Sequence, residues 1–175
     1  MLSYEDFLPL TWRPLAEDEF PFQATAWHAS NAETLRALLS LEHGSTEKTD
    51  DDPRLVLELQ RLESKIDLLL GLVAQSLLKD QPLPLPVKTR LTSQDIEWEE
   101  REALVVGENI LLSIVLNPRY PCAVSLPGSV TEVSTLPDRC RAKAEFLALP
   151  KVVQDSLERL VFLHHRKQVA RYHKR

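Results

Sequence analysis

The sequence is poor in glycine and cysteine, with four glycines and two cysteines among 175 residues. Four glycines are too few for a glycine-rich phosphate loop, and no serine nucleophile elbow is present. Cys122 and Cys140 are too few for a disulfide framework or a zinc site. No run approaches 18 consecutive apolar residues, so no membrane-spanning helix is predicted. The N-terminus also lacks the basic segment and apolar core of a signal peptide, so we expect a reduced, cytoplasmic protein.

The chain has a net negative charge outside its basic C-terminal end. The net charge is −5, and residues 164–175 carry five Lys or Arg and no acid. Subtracting these five charges leaves −10 for the rest of the chain, which would repel a nucleic-acid backbone. The basic end either holds acidic partners, phosphates or a membrane surface, or gathers cations where the helix dipole favours them.

Histidines and acids give little support to an enzyme. His164 and His165 are adjacent, so they point to different helix faces and cannot form an i, i+4 metal pair. We expect His164 to pack on the apolar stripe and His165 to be solvated. Glu97 and Glu99 would share one face of a strand, as an acid/base or cation site or, more usually, as a charged edge. We therefore expect no catalytic residues, no metal and no cofactor.

The N-terminal third predicts one strand and one helix. Residues 7–15, "FLPLTWRPL", suggest a strand that docks on a later sheet. A helix follows, with capping-box spacing between Ser30 and Glu33 and a natural stop at Gly44. Its core-facing side would be set by Leu35, Leu38, Leu39 and Glu42.

A second helix, about residues 53–79, carries a heptad repeat. Asp52 can cap it, and Pro53 suits its first position. Its apolar residues are spaced 4, 3, 4, 3, 4, which predicts a coiled-coil seam between chains. The next seam position is Ser76, with Leu77 beside it. The heptad seam proposed for oligomerisation comprises Leu55, Leu59, Leu62, Ile66, Leu69, Val73 and Leu77.

The flanks of this seam bear on the number of helices that meet. They include apolar Val56, Leu70 and Leu72, where a two-stranded coil normally carries charges. Glu58 and Glu63 would also face each other in a parallel dimer. Four parallel helices, or a helix pair covered by the first helix, would bury the leucines, and we favour a tetramer over a dimer. The competing interpretation is a helix buried in the core of its own monomer.

Beyond the proline-rich linker 80–86 the pattern changes to strands and one last helix. Five short segments with alternating or β-branched residues are separated by turn signals. With the N-terminal segment they predict a six-stranded antiparallel β-barrel. The final helix begins after Pro150, and its buried stripe would comprise Val153, Leu157, Leu160, Val161 and His164.

These features resemble a PilZ domain, the bacterial cyclic di-GMP-responsive β-barrel. The resemblance covers about residues 85–170 and rests on the turn "TRLTSQDIEW", Gly107 before the strand "NILLSIVLNP", the segment "AEFLAL" and the closing helix. It implies an α+β fold: a six-stranded antiparallel PilZ-like barrel with a C-terminal helix, plus an inserted helical pair forming a coiled coil. The segments would be the N-terminal strand of the barrel (1–22), the helical insert (23–80), and the barrel with its helix (81–175).

The resemblance also implies that the nucleotide-binding motifs are lost. PilZ domains bind cyclic di-GMP with an RxxxR motif and a (D/N)xSxxG motif. Alignment by the strands places Arg90 where the Asp or Asn should be, Thr92 at the Ser and Asp95 at the Gly. A cation, a β-carbon and a like charge then oppose the dianionic ligand. Arg171 and Arg175 have RxxxR spacing, but they follow the barrel instead of preceding it.

By this resemblance the protein would be a non-enzymatic adaptor in cyclic di-GMP-linked regulation of type IV pili, motility or virulence. It would act through an unidentified protein partner, with weak or no nucleotide binding. One alternative is a direct cyclic di-GMP receptor in which Arg13, Lys88 and Arg90 grip the phosphates. A second is a structural oligomer unrelated to the nucleotide.

Overall fold

The computed structural model describes residues 2–16, 18–42, 53–80, 82–102 and 104–172. Six strands and three helices make up this part of the chain. In chain order they are β1 (Tyr4–Pro14), α1 (Glu19–Glu42), α2 (Pro53–Asp80), β2 (Pro86–Leu91), β3 (Asp95–Glu100), β4 (Asn109–Asn117), β5 (Tyr120–Thr135), β6 (Cys140–Phe146) and α3 (Lys151–Tyr172).

The strands close into an antiparallel barrel in the order β1-β2-β3-β6-β5-β4, which confirms the predicted fold class. The N-terminal strand completes the barrel by pairing twice, through Tyr4–Pro9 with β2 and through Leu10–Pro14 with β4. The two helices α1 and α2 therefore interrupt the barrel between its first and second strands. Gly107 lies in the turn before β4 with a φ of 90°, a conformation that glycine adopts without steric cost.

The core fills the barrel and continues under α3. Trp98, Ile96 and Leu91 are fully buried inside it, as are Ile110, Leu112 and Ile114 of β4. The predicted stripe on α3 is confirmed for four of its residues, each at most 2% exposed: Val153, Leu157, Leu160 and Val161. This helix packs against α1 and β1.

Both histidines of α3 lie at its contact with the N-terminal strand. The His164 ring lies 4.3 Å from that of Tyr4, between ring centroids, and its Nε2 is 3.7 Å from Glu42 Oε1. His164 is therefore a packed residue, as predicted. His165 is half-buried, with its Nδ1 3.1 Å from the Ser3 carbonyl oxygen, so the expectation of a solvated ring was wrong.

Helix α1 begins at Glu19, well before the start predicted at Ser30. Ser30 and Glu33 are exposed residues within the helix, so their capping-box spacing is a coincidence. Pro21 is tolerated because it lies in the first helical turn, where the backbone N–H has no intrahelical partner. The predicted stop at Gly44 and the predicted cap Asp52 lie outside the described residues.

One buried amide attaches α1 to the barrel. Asn31 is completely buried, and its Nδ2 donates to the Ser125 carbonyl oxygen at 2.7 Å. Its Oδ1 accepts from the Ser125 N–H at 2.8 Å. Strand β6 pairs with β5 only from Gly128 onward, so Asn31 satisfies backbone groups of β5 beyond the reach of that ladder.

Candidate functional site

The turn between β2 and β3 is closed by its own side chains. Thr92 is 3% exposed, and its hydroxyl oxygen accepts from the N–H groups of Gln94 at 3.1 Å and Asp95 at 2.9 Å. The same hydroxyl donates to Asp95 Oδ1 at 2.7 Å. The backbone adds a bond from the Thr92 N–H to the Asp95 carbonyl oxygen at 2.9 Å. Thr92 and Asp95 thus form their hydrogen bonds within the turn. To bind a nucleotide, the same side chains would have to point outward.

Arg90, the third degenerate motif residue, faces outward and is ion-paired. Its Nη1 lies 2.9 Å from Glu97 Oε1, directly across the β2–β3 ladder. Its Nε lies 3.9 Å from Glu5 Oε1 on β1. The guanidinium is therefore shared by carboxylates on both neighbouring strands, which lowers its availability for a phosphate.

The ion pairing continues onto β6 and onto Arg139, the residue that precedes it. Arg139 Nη1 lies 2.6 Å from Glu99 Oε2, and Lys143 Nζ lies 3.8 Å from Asp95 Oδ2. Glu97 and Glu99 therefore share one charged face of β3, as predicted, but β3 is paired on both sides in the barrel and is not an edge strand. Their partners Arg139 and Lys143 could not be recognised from local sequence patterns, because they are distant in the chain and approach β3 only through the pairing of β3 with β6.

A shallow cleft lies over this face. Lys88, Arg90 and Arg141 line it together with Glu5, Glu97 and Glu99, so three cations face three acids. Its volume is about 100 Å³. Small-molecule pockets usually measure roughly 300–1,000 Å³, so this cleft is small for a dinucleotide.

Arg13 does not join Lys88 and Arg90. Glu5 is the β1 residue opposite Arg90, and Arg13 lies further along the same strand, roughly 26 Å away at strand geometry. It is ion-paired with Glu19 at the start of α1, and this hydrogen bond raises the pKa of Arg13 and lowers that of Glu19. The predicted three-cation phosphate grip is therefore not assembled in this structure.

Replacing Thr92 with valine should destabilise the barrel by about 1–3 kcal/mol, because two turn N–H groups lose their acceptor and Asp95 loses a donor. Urea unfolding at fixed protein concentration measures the change. Ser93→Ala, in the same turn, is the matched control and should change the free energy of unfolding by less than about 0.5 kcal/mol. Equal effects of the two substitutions would show that the Thr92 hydroxyl does not close the turn.

The heptad seam is exposed along the whole length of α2. Its seven side chains are between 47% and 61% exposed in the single chain: Leu55, Leu59, Leu62, Ile66, Leu69, Val73 and Leu77. Leu72 flanks the seam and adds further exposed apolar surface beside it, whereas Leu57 and Leu68 are exposed on the outer side of the helix. The competing interpretation, a helix buried in the core of its own monomer, was wrong. A continuous apolar face of this length is unusual on a soluble monomer.

Helix α2 contacts the barrel through its C-terminal end. Ala74 is buried, and Leu77 and Leu78 line a cavity with Val115 of β4 and Ala123 of β5. Helix α1 packs on α3 and β5 instead of covering α2. Within one chain, therefore, the first helix does not provide the cover that one sequence-based alternative assigned to it.

The described residues contain no group of three or more His, Cys, Asp or Glu side chains arranged to hold a metal ion. His43 and His173 lie outside those residues. None of the helices in the described ranges combines the length and apolar character that a membrane span requires. The basic C-terminal end is described only to residue 172, so Arg175 also lies outside.

Residues 35–174 match the model of a family described as "Atypical PilZ domain, cyclic di-GMP receptor". Among solved structures, the chain is similar to a pathogenic protein from Xanthomonas campestris, with 26% sequence identity, a TM-score of 0.74, and coverage of 97% of this chain and 90% of that one. That protein is described as a new tetrameric PilZ domain self-assembled via an unusual helical bundle.

A second structure, the Bacillus subtilis inhibitor of motility (MotI/DgrA), matches at 15% identity and a TM-score of 0.39, over 49% of this chain and 43% of that one. Comparison with curated proteins gave no significant match.

Proposed function

We infer the function from the premise that this chain belongs to the atypical PilZ domain family, whose model matches residues 35–174. We propose that it is a non-enzymatic regulatory adaptor in cyclic di-GMP-linked signalling. It would act in the cytoplasm through protein partners, in pathways such as type IV pilus function, motility or virulence. It would do so as a homo-tetramer.

The exposed heptad seam carries this proposal. Its seven side chains remain about half exposed in the single chain. Burying the exposed halves would contribute roughly 5–10 kcal/mol per chain before the entropic costs of association. An assembly holding several barrels at fixed spacing would raise the affinity for a multivalent partner.

A tetramer is favoured over a dimer by the width of the apolar face. Leu72 is exposed beside the seam, so a single partner helix would leave part of it in water. The similar Xanthomonas protein is itself tetrameric through a helical bundle. We accordingly propose an organisation in which α2 of the insert 23–80 assembles the protein, while the strands within 1–22 and 81–175 together form the barrel that it displays.

Direct reception of cyclic di-GMP is the second candidate. The family description favours it, and Lys88, Arg90 and Arg141 do line one cleft. The closed turn at Thr92–Asp95 and the acids in the same cleft weigh against it.

A structural oligomer without any signalling role is the third candidate. A pull-down from the native cells distinguishes it, since an adaptor should recover a signalling or pilus protein and a purely structural oligomer should not.

The proposed assembly is tested by light scattering on the wild-type protein at several concentrations. One chain has a mass of 20.0 kDa, and a tetramer should give four times this mass. The mass of a single chain at micromolar concentration would remove the proposed tetramer, and twice that mass would replace it with a dimer.

A further inference from the structure

The groove between α1 and α3 is a second surface that the barrel leaves open. We propose that this groove docks an acidic segment of a partner protein. The inference rests on the proposed function only in requiring that the protein has a partner. It does not depend on the tetramer, because none of the described α2 residues lines the groove.

Two arginines give the groove its charge. Arg36 of α1 and Arg159 of α3 line a cleft of about 350 Å³, and none of the described residues that line it carries a carboxylate. Neither guanidinium has an ion pair or hydrogen bond within the described part of the chain. This contrasts with the barrel face, where Arg90 and Arg139 are paired with glutamates. In a protein of net charge −5, unpaired arginines that share a cleft form a local anion-attracting surface.

The cleft also has apolar walls. Ala32 and Leu39 of α1 face Val152 of α3 across it, and Val152 is more than half exposed. Arginine beside exposed aliphatic side chains is a composition typical of protein interfaces. A carboxylate of the partner can accept two parallel hydrogen bonds from each guanidinium. Neighbouring apolar side chains of the partner can then pack against the apolar walls of the cleft.

The apolar walls of the cleft favour a polypeptide over a small anion, because an apolar side chain of a peptide can cover the exposed Val152 and an inorganic anion cannot. Arg159 also lines a second cavity with Phe162 and Arg166, but that cavity is lined by Asp155 and Glu158 and by no residue of α1. The proposed docking surface is therefore the positively charged cleft beside α1.

Site-specific cross-linking in the native cells tests the proposal. The photoreactive residue benzoylphenylalanine replaces exposed Ser40, which lines the cleft, in the full-length protein. The cross-linked peptide is then sequenced and synthesised, and its affinity for the purified protein is measured. We expect an acid-rich segment of another protein. Arg36→Glu combined with Arg159→Glu should weaken its binding at least ten-fold.

Arg119→Glu is the matched control, since Arg119 is an exposed arginine in the turn between β4 and β5. It should change the affinity less than two-fold. The double variant should keep the wild-type mass in light scattering, so that loss of docking is not confused with loss of assembly. If the wild type has the mass of a monomer but still binds the peptide, the docking proposal is supported and the proposed tetramer is wrong.

Several results would overturn the proposal. A cross-link to a second copy of this chain would make the groove a self-association surface. Competition by millimolar inorganic phosphate at constant ionic strength would make it a small-anion site. A peptide without acidic residues, unchanged affinity in the double variant, or no cross-link from Ser40 when a probe at Arg119 does cross-link would each exclude acidic docking in this groove.

Discussion

Replacing Ile66 with aspartate is expected to lower the solution mass from that of a tetramer to that of a single chain. Ile66 lies in the middle of the heptad seam and is 47% exposed in the single chain. In a four-helix interface, four carboxylates would meet in one desolvated layer, at a cost of about 3 kcal/mol or more per chain. Because four chains contribute, the concentration for half-assembly should rise by roughly 10³-fold. Light scattering at micromolar concentration measures the change.

Ser64→Asp is the matched control for this experiment. Ser64 lies close to Ile66 on the same helix, on the side opposite the seam, and is exposed. It should keep the wild-type mass. Trp98 is buried in the barrel and contributes to the tryptophan emission together with Trp12 and Trp27, so an unchanged emission spectrum in both variants would show that the barrel is folded. An Ile66→Asp protein that stays at the wild-type mass would mean that the seam does not assemble the chains.

Replacing Asn31 with leucine should destabilise the protein by roughly 2–5 kcal/mol, because the Ser125 N–H and C=O both lose their partner beneath α1. Leucine has the same branching and number of side-chain heavy atoms but is larger, so no cavity forms and the loss reports on the two hydrogen bonds and on overpacking. Urea unfolding should be followed at one fixed protein concentration, since the stability of an oligomer depends on it.

Ser30→Leu is the corresponding control. Ser30 precedes Asn31 on α1 but is exposed, so the substitution should change stability by less than about 0.5 kcal/mol. This control also checks where the helix begins. If Ser30 were the N-cap that the sequence pattern indicates, its replacement would cost about 1 kcal/mol. Comparable losses for Ser30→Leu and Asn31→Leu would refute both the helix start at Glu19 and the special role of Asn31.

Local patterns predicted most of the fold because most of its elements are specified locally. Strands β2, β3 and β6 alternate more and less buried residues between turn signals, and β4 is an apolar run. Helix α3 has a proline just before its start and a continuous apolar stripe. The heptad helix was evident for the same reason, since its repeat is held over nearly three heptads. The start of α1 was missed because Ser30 and Glu33 have the spacing of a capping box, although Glu19 and Pro21 mark an earlier first turn.

The candidate nucleotide turn was only partly predictable. The sequence indicated that Arg90 and Asp95 oppose an anionic ligand. The sequence also suggested that Thr92 is a conservative replacement for the serine of the motif. In the structure Thr92 is instead buried at the centre of a closed turn. The ion pairs from β3 to Arg139 and Lys143 depend on barrel register, which no local pattern encodes. In the same way, Arg36 and Arg159 become neighbours only when α1 packs on α3.

A calorimetric titration of cyclic di-GMP into the wild-type protein separates an assembled adaptor from a nucleotide receptor most directly. Thr92 and Asp95 are hydrogen-bonded to each other, and Arg90 forms ion pairs with Glu97 and Glu5. We therefore expect no saturable heat at ligand concentrations up to about 100 µM, which limits any binding free energy to about −5.5 kcal/mol. A Kd of about 1 µM or tighter, lost in Arg90→Glu, would contradict this expectation and make the protein a cyclic di-GMP receptor.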